Sequence, residues 1–150
     1  MTNQAKTLIE TIVQTHLNSL LAADVEKWVN MWDEEGVFEF PFAPDGYTKV
    51  LNGKAEMADY MAGFPEKIQI DSFEIKEIFQ NESGEEGVLE FTCKGKILAT
   101  GLAYNQHYVA ILKTKSGKLS LYRDFWDPIV AIKSFGGQDA FKHAFAVEEK

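Results

Sequence analysis

Apolar residues between Ala5 and Leu21 fall at Leu8, Ile9, Ile12, Val13, Leu17, Leu20 and Leu21. That three-and-four spacing predicts a helix with one buried stripe. His16 lies on the stripe, four residues after Ile12 and four before Leu20, so it points inward. Asp24 is placed to cap a second, shorter helix running through Val25, Trp28, Val29 and Trp32, because an Asp oxygen accepts from the free amides of a first turn. The two helices form a hairpin. Gly36 ends the helical pattern, VFEFPF predicts a short strand that Pro41 keeps near an edge or a bulge, and APDGYTKVLNG predicts a loop. Met57, Tyr60, Met61 and Phe64, bounded by Gly53, Gly63 and Pro65, predict a third helix.

Four stretches rich in β-branched and aromatic residues follow, near 68–80, 88–98, 104–114 and 119–126, separated by turns such as NESGEE and KSGK. They predict an antiparallel meander. Helices followed by a run of strands give an α+β domain with the helices on one face of the sheet. Four strands have two faces and few helices to cover them, so a homodimer through the sheet is expected. Phe141 and Phe145, four apart, permit either a short amphipathic helix or a frayed end in the C-terminal tail, 138–150.

The 150 residues suit one domain, 1–150, and 45% hydrophobic with 13% aromatic content supplies both a core and an aromatic-lined cavity. A formal net charge of -8 repels a phosphate backbone or an anionic bilayer, so neither nucleic acid nor membrane is an expected partner. Cys93 is the only cysteine, which removes an intrachain disulfide and a cysteine-based zinc site. The first residues show neither a signal peptide nor a membrane span, and a cytoplasmic location is expected. The three histidines, His16, His107 and His143, lack metal-ligand spacing, and there is no phosphate-binding glycine loop, so no cofactor is expected.

The segment YRDFWDPIVAIKSFGG, residues 122–137, with GLAYNQHYVAIL upstream, resembles the SnoaL-like and PhzA/PhzB-like branches of the nuclear-transport-factor-2-like superfamily. LLAADVEKWVNMWDEEGVFEF is similar to the opening of ketosteroid isomerases of the same fold. The resemblance covers nearly the whole chain. It implies a cone-shaped, strongly curved antiparallel sheet that, with the helix hairpin and third helix, encloses an apolar pocket for small, often ring-bearing molecules. It also implies homodimers that pack through the sheet.

Counting back from a two-residue Ser116-Gly117 turn puts Lys115 opposite Lys118. It then sets Asp124 against Val109, Tyr122 against Ile111 and Trp126 against His107, all on one face. On this reading Asp124 has His107 as a diagonal neighbour. The resemblance points to the same residue, because relatives of this fold use an acid on the last strand at the position of Asp124. An apolar surround would raise its pKa toward the range useful for proton transfer, whereas a structural pairing with His107 or Arg123 would lower it. His16 matches the oxyanion-stabilising tyrosine of ketosteroid isomerases, and Phe40 stands where they carry their aspartate base, a position from which Phe moves no proton.

The third helix lacks the His and Ser on which PhzA/PhzB proteins rely, and VLEFTCKGKI lacks the Arg of epoxide hydrolases of this fold. Phe40, Met57, Tyr60, Met61, Trp28 and Trp32 read either as pocket wall, together with Trp126, Tyr122, Val109 and Ile111, or as plain core. The expected activity is cofactor-independent proton transfer on a ring-bearing carbonyl compound, by isomerisation, aldol-type cyclisation or condensation, with Asp124 assisted by His107 or His16. The alternatives are a non-catalytic ligand-binding or accessory module, an epoxide hydrolase-like enzyme, and a dimerisation domain whose cavity its own side chains fill.

Overall fold

Thr7 starts the first helix. Its hydroxyl accepts from the Glu10 amide while the Glu10 carboxylate accepts from the Thr7 amide, satisfying two of the amides that a first turn leaves free. In the computed structural model, which describes residues 6–145, this helix is α1 (Leu8–Leu21), and its stripe buries Ile9, Ile12, Val13, His16 and Leu17. The start expected at Ala5 and the end of the tail, 146–150, lie outside the described residues. Asp24 accepts from the Lys27 amide and caps α2 (Val25–Asn30).

The chain continues through β1 (Trp32–Glu39), β2 (Val50–Asn52), α3 (Gly53–Ala62) and α4 (Phe64–Lys67). It then runs through β3 (Ile68–Gln80), β4 (Glu86–Ile97), β5 (Gln106–Lys115), β6 (Lys118–Phe125), α5 (Pro128–Ser134) and α6 (Gln138–Phe145). The strands form one curved, open sheet in the order β2-β1-β6-β5-β4-β3, in which β1 joins β6 in parallel and the other neighbours are antiparallel. Helices α1 and α3 pack on its inner face, α1 against β3 and β4 and α3 against β1.

The α+β order and the four long strands match the sequence reading, and three local assignments change. Trp32 opens β1 instead of continuing α2, and Gly36 sits inside that strand because its missing side chain leaves room for the Trp32 ring. The loop after Pro41 contains β2, which pairs with β1 through Val37, Phe38 and Glu39. The segment after Trp126, unassigned from sequence, is helical, with Asp127 accepting from the Ile129 amide and Pro128 in the first turn. Helix α6 falls where Phe141 and Phe145 suggested, and Phe141 is buried against Tyr47, Trp126 and Phe135.

Register decides which residues the sheet presents inward. Lys115 does lie opposite Lys118 and Thr114 opposite Leu119, but Lys113 is opposite Leu121, so Ser120 is an extra residue on β6. Beyond it every pair moves by one. Asp124 faces Ala110, Tyr122 faces Leu112 and Phe125 faces Val109. A second irregularity, between Ile70 and Ser72, lies beside Gly95 on β4, whose Cβ, if present, would come 2.1 Å from the Gln69 carbonyl oxygen. Since that neighbour is backbone, Gly95→Ala forces the strands apart and should cost about 1–3 kcal/mol, the usual range for overpacking. Thermal denaturation should show a fall of several degrees, and a variant that melts with the parent would contradict this packing.

Candidate active site

The inner face of the sheet and helices α1 to α4 enclose a cavity of about 80 Å³ that opens to solvent. Asp124 of β6 and Trp126 just beyond it stand at the buried end, with His16 of α1, Trp28 of α2, and Phe38 and Phe40 at the end of β1. Half-buried Leu20, Phe64, Ile70 and Phe73 line the same space nearer solvent. Among the described residues no lysine or arginine lines it.

The Asp124 residue is only 8% exposed, and its Oδ1 has no hydrogen-bond partner among the described residues. Burial alone raises its pKa well above the ordinary aspartate value, because an apolar surround penalises the charged form. The surrounding phenols do not relieve it. Tyr47 bonds to Tyr60 and Tyr104 to Tyr108 (3.0 Å), hydroxyl to hydroxyl. The Tyr122 hydroxyl, on the same strand face two residues before Asp124, is buried and also without a partner among the described residues. Burial raises the pKa of all five tyrosines, so they stay neutral donors.

His16 is fully inside, and burial pushes its pKa down to about 3, so the imidazole is neutral at physiological pH. Its Nδ1 accepts a 2.9 Å hydrogen bond from the Trp28 indole Nε1. The ring lies 4.7 Å, centroid to centroid, from that of Tyr122. The site therefore offers a neutral imidazole and an unpartnered carboxyl inside an aromatic box, a set suited to holding a polar atom of an apolar ligand and to moving a proton. Among the described residues no group of three or more His, Cys, Asp or Glu side chains is placed to hold a metal ion.

Of the predicted site residues, Asp124, His16, Trp126, Phe40, Tyr60, Met61 and Trp28 converge on this cavity. Tyr122 lies on the same sheet face, fully buried against His16 and Phe38. His107 does not join them. The extra residue Ser120 puts it on the outer face, where its side chain, 57% exposed, contacts Glu90 at 2.6 Å. Val109 and Ile111 move to the outer face for the same reason and leave the pocket wall. Arg123 also points outward and pairs with Glu39 at 3.2 Å, so neither expected partner reaches Asp124. Met57 and Trp32 are core, fully buried and outside the cavity lining.

Sequence reasoning missed Tyr108 and Phe91, stacked face to face on the inner side of β5 and β4, and Tyr47 in the loop before β2. Tyr108 would follow from the correct register, since it alternates with Ala110. Tyr47 has no periodic context to reveal it.

An open sheet wrapped over helices, with an acid at the closed end of an aromatic cavity, defines the class. Residues 13–122 match the model of the SnoaL-like domain, and the chain belongs to that family. It is 38% identical over 118 residues to protein YesE of Bacillus subtilis, covering 79% of this chain and 80% of the relative. It is 30% identical over 124 residues to the PhzA/B-like protein PA3332 of Pseudomonas aeruginosa, covering 83% and 87%. A crystal structure of a candidate isomerase from Bacillus subtilis superposes with a TM-score of 0.84 at 34% identity, over 87% of this chain and 94% of that one.

Two more distant structures share the fold. A candidate polyketide cyclase from Pseudomonas putida has a TM-score of 0.71 at 18% identity, over 87% and 98% of the chains. RV0760c of Mycobacterium tuberculosis, solved with estradiol-17beta-hemisuccinate, has 0.72 at 15%, over 83% and 98%. Among the described residues no helix is long and apolar enough to cross a membrane.

The raised Asp124 pKa fixes the sign of a pH effect. The folded chain holds this proton above 3.8, where the unfolded chain has released it, so the stabilisation is complete below that pH and is lost as pH rises through the folded pKa. The loss approaches about 1.4 kcal/mol per pH unit. His16 acts oppositely, since acid lowers stability as the unfolded chain takes a proton between 6.5 and about 3 that the folded ring refuses. That effect is common to the parent and Asp124→Asn and drops out of their difference. Denaturant unfolding should show the variant gaining on the parent from about pH 4 upward. A variant that loses ground as pH rises would mean that the carboxylate is paired.

Proposed function

We propose that the chain binds an uncharged, ring-bearing carbonyl compound in the aromatic cavity and moves a proton at the carbon next to the carbonyl. Asp124 is the acid and base of this reading, and His16 is the donor to the carbonyl oxygen. The observation that carries it is the buried Asp124 carboxyl aimed into the cavity, with neither a hydrogen-bond partner for its Oδ1 nor a lining cation among the described residues. Its raised pKa makes the carboxylate, once formed, a stronger base than a free aspartate. It removes the proton on the α-carbon, negative charge moves to the carbonyl oxygen against the His16 N–H, and the Asp124 acid returns the proton to the ligand at its new position. The candidate isomerase and polyketide cyclase among the structural neighbours, and the steroid derivative held by a third, support this class of chemistry without naming a substrate. The free, buried thiol of Cys93 fits a cytoplasmic setting.

One observation favours a second reading, binding without turnover. Among the described residues no hydrogen-bonded relay leads from Asp124 to solvent, since His107 and Arg123 face away. The two readings separate on Asp124→Asn. Under the catalytic reading, turnover on a panel of cyclic ketones falls about 10²-fold or more with ligand affinity kept, the scale of general acid-base catalysis. The parent kcat/KM rises with pH through the Asp124 pKa. A variant that turns over an identified substrate at the parent rate would remove the catalytic assignment.

The reading includes a homodimer through the outer sheet face. Val109, Ile111, Leu121 and Phe125 lie on that face, with exposed Phe42 beside Phe125, and the Arg123–Glu39 and His107–Glu90 pairs among them. An apolar surface of this kind calls for a partner, and a second copy supplies the same residues across a twofold axis. Light scattering at micromolar concentration should report twice 16.9 kDa, with Val109→Lys shifting it to the single chain. A parent protein found only at 16.9 kDa would exclude the dimer.

A further inference from the structure

Trp28 contributes more to the cavity than a wall. Its indole N–H is a donor and nothing else, so the ring nitrogen it contacts must be an acceptor. That nitrogen is Nδ1 of His16, at 2.9 Å. A neutral imidazole carries one proton, and with Nδ1 accepting, the proton must sit on Nε2. Nε2 lies across the ring from the Trp28 bond, in a residue that lines the cavity, and takes part in no hydrogen bond with the described residues.

We propose that Trp28 is a positioning residue that locks His16 as the Nε2–H tautomer, so that the cavity presents a fixed hydrogen-bond donor and selects uncharged ligands bearing an acceptor oxygen. This inference rests on the reading of the cavity as a ligand site and specifies how that site discriminates.

Three further observations support the lock. Both residues are almost wholly buried, so water does not compete for the bond. Trp28 is itself held by Trp32 and Phe38, with ring centroids 5.6 and 5.7 Å away, which keeps the indole from turning. The imidazole is pinned on its other sides by Tyr122 and by the edge-on ring of Phe91. A ring so confined cannot exchange its two nitrogens by flipping without moving several aromatic neighbours. Burial keeps it neutral, so the donor does not become a charge that would admit anions. A carbonyl or phenolic oxygen is thus accepted, and a carboxylate of the same ring size is opposed because no cation lines the cavity among the described residues.

The test replaces Trp28 by β-(3-benzothienyl)alanine, which keeps the bicyclic shape and lacks the N–H, with Trp28→Phe as the encoded counterpart. Nitrogen-15 NMR of the imidazoles reads the tautomer. In the parent, His16 should show a protonated, pyrrole-type Nε2 and a pyridine-type Nδ1 that do not change between pH 5 and 8. In the benzothienyl variant the two signals should move toward each other as the tautomers mix.

Binding is read separately from turnover, by fluorescence quenching with 2-acetonaphthone, 2-isopropenylnaphthalene and 2-naphthoate. The parent should prefer the ketone over the isosteric hydrocarbon by about tenfold, as one hydrogen bond gives, and bind naphthoate most weakly. The variant should lose most of that preference while binding the hydrocarbon as the parent does. A proton on Nδ1 in the parent, or a ketone preference unchanged by loss of the indole N–H, would overturn the proposal. If instead the tautomer is locked and the ketone preferred while no cyclic ketone is turned over, the lock stands and the catalytic reading falls.

Discussion

The carboxyl of Asp124 has been taken out of water without being given a partner, and the rest of the site is arranged around that fact. Ionised, it would cost several kcal/mol in so apolar a surround. Neutral, it still leaves a polar group unsatisfied, at a cost of about 1–3 kcal/mol. A fold selected for stability alone would replace it with an apolar residue. The cavity in front of it gives the unspent hydrogen bond a use, because a ligand that enters restores the partner that folding removed.

Most of the polar groups near Asp124 are occupied elsewhere, the Tyr122 hydroxyl being the exception. Two pairs of tyrosines bond to each other, Tyr47 with Tyr60 and Tyr104 with Tyr108. Arg123, next to Asp124 on β6, and His107, on β5, both turn outward, to Glu39 and Glu90. Gln106 is buried beside the end of the strand and is held by the Asp127 backbone through both ends of its amide. The other polar group at the closed end, His16, is likewise fixed through Trp28. The same aromatic packing that forms the core, Trp28 on Trp32 and Phe38 and Phe38 on Phe40, also aims these two groups, so stability and site share residues.

Much of this was legible in the sequence, because periodicity carries it. The three-and-four spacing placed His16 inward, and the Ser116-Gly117 turn gave the first pair of the β5–β6 ladder correctly. The reading then failed at one residue. Ser120 breaks the alternation, and a slip of one exchanges the two faces of the partner strand, which replaced Ala110 and Tyr108 with Val109 and His107 around Asp124. The run Leu119, Ser120, Leu121, Tyr122 carries a trace of it, since two apolar neighbours interrupt an otherwise alternating strand. Trp32 was misread because its spacing from Trp28 suits a helix, while tertiary contacts with Phe38 draw it into β1. Tyr47 comes from a loop, where no period exists to be read.

The chemistry of this cavity depends on the protonation state of one carboxyl in the folded, ligand-free protein. Carbon-13 NMR of the Asp124 side chain, assigned through Asp124→Asn and followed across pH, reads it directly. The account predicts a midpoint well above that of an ordinary aspartate, with the carboxylic-acid form persisting where the exposed acids have ionised. A midpoint at or below about 3.9, the value of a free aspartate, would show a solvated or paired carboxylate and contradict it.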